Sequence, residues 1–132
     1  MPDLPVTINN PTPGGQQTVL TDYVSAAITA GTNKKEWIAT HAGSIDQVAV
    51  DSAGAGSGAG NDVIDVNING TTIFTTQARR PTRLATDTGY YTVGMPEAGS
   101  FKAGDIIGYD VDSVGASGGG TRTSLAIICK RH

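Results

Sequence analysis

The chain has 132 residues, with 18 glycines, 16% charged residues and a formal net charge of −3. This length predicts one domain, and 38% hydrophobic residues with so little charge exclude a disordered chain. The mildly acidic balance argues against a free-standing nucleic-acid binder, which would carry a basic face.

The opening segment, MPDLPVTINN, lacks a basic stretch followed by an apolar one, so no secretory signal is expected. No apolar run approaches the ~18 residues of a membrane span. The expected site of synthesis is a host cytoplasm, with no membrane partner. Pro2, Pro5, Pro11 and Pro13 lie in residues 1–15, and Gly14-Gly15 closes that segment. The prolines predict an extended N-terminal arm with Leu4, Val6 and Ile8 as its alternating apolar set, followed by a domain over 16–132.

Gln16 to Val24 reads as a strand by its Thr, Val and Tyr content, and Ser25 to Gly31 either extends it or forms a helical turn. Lys35 to Thr40 is a short strand whose Trp37 is expected to anchor the core. In Ser44 to Asp51 the apolar phase changes, with Ile45 on one face and Val48 and Val50 on the other, which predicts a bulge or a register ending near Gln47. SAGAGSGAG (Ser52 to Gly60) carries no large side chain and reads as a flexible surface loop; the alternative is a close-packing loop at a subunit contact.

Asp62 to Phe74 gives the clearest signal. Ile64, Val66 and Ile68 alternate with Asp65, Asn67 and Asn69, and Asn69-Gly70 leads at once into a second β-rich run. Asn-Gly between such runs predicts a hairpin, because a type I′ turn needs positive φ at both central residues. Gln77 to Thr88 reads as a loop broken by Pro81, Tyr90 to Val93 as a brief strand, and Pro96 to Gly104 as a turn region stapled by Phe101. Ile107, Tyr109 and Val111 form one strand face opposite Asp110 and Asp112. GASGGG (Gly115 to Gly120) then reads as the flexible tip of a second hairpin returning through Leu125, Ile127 and Cys129. About eight strands without an amphipathic helix predict an all-β, single-domain antiparallel β-sandwich, jelly-roll-like because the Cys…Trp…Cys spacing of immunoglobulin domains is absent.

No catalytic residue emerges. Asp87-Thr88-Gly89 matches an aspartic-protease tripeptide, but its flanks lack the apolar strand that chemistry needs, so a turn is expected. His41 is the only internal histidine, and no Gly-x-Ser-x-Gly elbow joins a strand to a helix. Asp105, Asp110 and Asp112 lie close in sequence without a calcium-loop pattern, and His41, His132 and Cys129 lack zinc spacing, so no metal and no cofactor are expected. With a single cysteine, Cys129, an internal disulfide is excluded and a small buried hydrophobe is expected. Arg79, Arg80 and Arg83 are expected in a solvated loop or in ion pairs rather than gripping phosphate.

NINGTTIFTTQARRPTRLA (Asn67 to Ala85) and GDIIGYDVDSVGASGGGTRTSLAIICK (Gly104 to Lys130) resemble a module of tailed-bacteriophage structural proteins. The resemblance covers residues 62–130 and implies a non-enzymatic virion component. With the short arm and one compact domain, it implies a capsid decoration (cement) protein that binds the major capsid protein on the capsid exterior and stabilises the head, forming a homo-oligomer, as a trimer. Leu4, Val6 and Ile8 would then be arm contacts. The alternative is a receptor- or carbohydrate-binding module of a phage tail or head fibre, with Trp37, Tyr90 and Tyr91 as ligand-facing aromatics.

Overall fold

A computed structural model describes residues 16–89 and 91–132. The arm residues Leu4, Val6 and Ile8, and Tyr90, lie outside the described residues.

Among the described residues, ten strands build two antiparallel sheets: β1 Gln17–Val24, β2 Gly31–Ile38, β3 Gly43–Gly54, β4 Asn61–Ile68, β5 Thr71–Thr72, β6 Thr82–Leu84, β7 Thr92–Gly94, β8 Ser100–Phe101, β9 Ile106–Ser113 and β10 Thr121–Arg131. One sheet runs β1-β10-β3, with β7 and β8 sharing the far edge of β3; the other runs β2-β9-β4, with β5 and β6 sharing the far edge of β4. The pairs nest: β1 with β10, β2 with β9, β3 with β7 and β8, β4 with β5 and β6. This is the double-sheet jelly roll expected from the strand pattern. More short strands form than the eight expected, because the β4-facing and β3-facing edges are each divided between two short pieces.

The core lies between the sheets. Ile45, Val48, Val50, Leu125, Ile127 and Cys129 face Ile64, Val66, Ile107, Tyr109 and Val111, with Phe74 and Phe101 packed into the same cluster. The phase change in β3 is a bulge: Ile128 pairs Gln47 while Cys129 pairs Ile45, so Asp46 is the extra residue. The bulge turns Ile45, Val48 and Val50 onto one buried face. At the β4–β5 turn Asn69 and Gly70 have φ of 51° and 83°, the paired positive values that the Asn-Gly signal requires. Trp37 is half-buried and packs against the core, its ring centroid 6.4 Å from that of Tyr109.

The second expected hairpin does not form. β9 pairs β2 and β4, whereas β10 pairs β1 and β3, so Gly115 to Gly120 arches from one sheet to the other. Both strands carry an apolar face, and those faces meet across the core instead of lying side by side. The Ser52–Gly60 segment is also not a free loop. Its first three residues continue β3, Ser57 bridges to Gly118, the Gly56 N–H donates to Ala85, and Ala59 accepts from the Ala116 N–H. A methyl group on Gly56 would stand 2.5 Å from the Gly118 carbonyl oxygen, so the two glycine arches touch backbone to backbone. The close packing that glycine permits occurs within the chain.

Candidate functional site

The three arginines are ion-paired. Arg79 lies 3.6 Å from Glu97, Arg80 pairs with Asp112, and Arg83 lies 3.0 Å from Asp62. Asp62 is wholly buried, and its carboxylate also accepts from the N–H groups of Gly115 and Gly120 at 3.1 and 3.0 Å. A second Arg83 nitrogen donates to the Asp87 carbonyl. The turn expected at Asp87-Thr88-Gly89 lies one step earlier, closed by the Asp87 N–H on the Leu84 carbonyl at 3.0 Å, and Asp87 and Thr88 lead from it to a bend at Gly89. This hub is structural: it ties β4 and β6 to the arch between the sheets.

On the outer face of the β2-β9-β4 sheet, Asp65, Asp110 and Asp112 bring one carboxylate oxygen each within 4.8 Å of one another. Asp105, grouped with Asp110 and Asp112 in the sequence, instead binds the Lys102 N–H and the Asn69 amide at a turn. Asp65 and Asn67 are buried although their strand face is polar. The Thr72 hydroxyl donates to Asp65 at 2.6 Å, and the Asn67 amide donates to Asp110 at 2.8 Å. Burial, helped by the like charge of Asp112, holds the Asp65 carboxyl above the usual carboxylate range. With Arg80 on Asp112 and Thr72 on Asp65, the cluster is satisfied from within the chain.

His41 lies between β2 and β3, with one ring nitrogen 3.4 Å from the Thr18 hydroxyl and the other 2.9 Å from the Ala42 carbonyl. Cys129 is buried, and burial pushes its thiol up to about 11, so it stays protonated. Among the described residues no helix is long and apolar enough to cross a membrane.

An open groove of about 600 Å³ lies on the outer face of the β1-β10-β3-β7 sheet. Its position follows from strand register. Thr21, Ala126, Ala49 and Val93 form one row across four strands. Tyr23, Ser124 and Asp51 form the next, and Tyr91, one residue before β7, closes it. Small side chains make the floor, and two tyrosines stand at the sides, Tyr23 57% and Tyr91 69% exposed. Asp51 Oδ1 is covered and has no hydrogen-bond partner among the described residues. At the rim Asp22 accepts from the Tyr109 hydroxyl at 2.7 Å, and Lys35 lies 3.9 Å from the same carboxylate.

Of the aromatics singled out in the sequence, the structure brings Tyr91 to this groove and sends Trp37 to the core side of the other sheet. Sequence reasoning missed Tyr23 and Asp51. The phase of β1 was the available signal, since Leu20 and Val24 turned inward leave Val19 and Tyr23 outward. No protein-family model, no curated protein and no solved structure matches the chain.

Proposed function

We propose that this chain is a non-enzymatic structural protein of a tailed-bacteriophage virion. Its role is that of a capsid decoration protein, which binds the major capsid protein on the outside of the head as a trimer. The observation that carries the reading is the nested strand order of the jelly roll, an architecture used by viral coat domains. The warrant is an analogy of fold, joined to the module-like pattern of residues 62–130. Capsid binding would act by linkage: a protein that binds only the intact lattice stabilises it, and several weak contacts held in one oligomer act together. Immunogold labelling of purified virions tests this. Label spread over the heads is expected; label confined to the tail tip, or no label on particles, overturns it.

A second reading, a receptor- or carbohydrate-binding module, is favoured by one observation, the two exposed tyrosines that line the sheet groove.

A further inference from the structure

We propose that the groove on the outer face of the β1-β10-β3-β7 sheet is a binding site for neutral oligosaccharides. The inference deepens the carbohydrate-binding reading and rests on it, not on the decoration reading.

Tyr23 and Tyr91 end one cross-strand row. They are separated by three inter-strand steps, about 14 Å in all, which leaves room for more than one sugar ring. Each ring exposes apolar area that the folded chain does not use. A pyranose has an apolar C–H face and an equator of hydroxyls. Aromatic side chains stack on the first, and a few well-placed polar groups take the second. Ser124, Ala126 and Ala49 keep the floor shallow enough for a ring to reach the backbone level. The hydroxyls of Thr21 and Ser124 can donate or accept, and the Asp51 carboxylate can only accept.

Asp51 selects among possible occupants. Asp51 lines the groove, and the carboxylate oxygen it leaves uncovered there can accept from a sugar hydroxyl. A second copy of this face would bring another Asp51 instead, burying two unpaired charges. Anionic sugars meet the same carboxylate and, at the rim, Asp22. Lys35 is the one cation in the lining, and it already lies against Asp22.

Amide-detected NMR titration of the full chain tests the site, with cellohexaose, maltohexaose and chitohexaose as neutral probes and oligogalacturonate as the anionic control. At least one neutral probe is expected to shift the amides of Tyr23, Asp51, Tyr91 and Ser124, with the anionic control silent. Tyr91→Ala and Tyr23→Ala should each weaken binding about tenfold, as loss of one stacking ring implies. Both tyrosines are exposed, so these variants keep the fold. If a neutral probe binds equally well to both variants, the groove assignment fails while the carbohydrate-binding reading survives. If no neutral probe binds at millimolar concentration, both fail. Concentration-dependent self-association that Tyr91→Ala abolishes would make a second copy the occupant and overturn the proposal.

Discussion

Asp62 and Arg83 bury a full charge pair beneath the inter-sheet arch, and the carboxylate has two backbone donors besides the guanidinium. Removing one member leaves the other buried and uncompensated, which costs more than the pair contributes. Asp62→Ala should therefore lower stability by about 3–5 kcal/mol, read as a reduced midpoint in urea unfolding. Asp65 carries the opposite sign. Its carboxyl is held above the ordinary value of 3.8, so at neutral pH its charge opposes folding. Asn keeps an acceptor for Thr72 and the Val66 N–H. Asp65→Asn should stabilise the protein at pH 7, and that advantage should shrink as pH falls through the folded-state pKa of Asp65 toward 3.8. Asp105 and Glu97 behave conversely. The Lys102 N–H holds Asp105 low, and the Thr76 hydrogen bond holds Glu97 low. Their contribution is present above the unfolded carboxylate range and is lost as pH falls through their folded values. Subtracting the wild-type pH profile from that of Asp65→Asn separates the two effects.

At the scale of elements, the features written in a few consecutive residues were legible. Asn69-Gly70 specified its turn, and the slipped phase of Ile45, Val48 and Val50 specified a bulge. The all-β class and the sandwich followed from many such signals together. Pairing across the chain was not legible. Alternation in β9 and β10 marks which face is apolar, but it is equally satisfied by neighbours in one sheet and by strands opposed across a core. The groove was half legible for the same reason: Tyr91 stood out as an aromatic, whereas Tyr23 and Asp51 joined it only through register. The glycine segments were misjudged because composition reports the loss of side chains and not what fills the space. Gly56→Ala places a methyl 2.5 Å from the Gly118 carbonyl oxygen. It should cost about 1–3 kcal/mol, with hydrogen exchange accelerated in both arches. Gly70 is the contrast, since a methyl there would meet nothing within 4 Å and only its φ of 83° resists substitution.

For the whole molecule, the nesting of strand pairs makes the last strand the centre of a sheet. β10 lies between β1 and β3, so neither can be buried before residue 121 onward has arrived. Deleting 121–132 should leave a chain without cooperative unfolding, seen as loss of a thermal transition by circular dichroism. Pairing of the first described strand with the last also closes a very long loop, and folding in the millisecond-to-second range is expected from stopped-flow measurements. The same pairing brings the Arg131 N–H to 2.7 Å from the Gln16 carbonyl oxygen. Topologically, the described chain is almost a ring, interrupted at one point that a short linker could seal. The jelly roll then has no privileged starting residue. A circular permutant joined between 131 and 16 and opened at Gly89, where a methyl would touch nothing within 4 Å, should keep both sheets and the same groove.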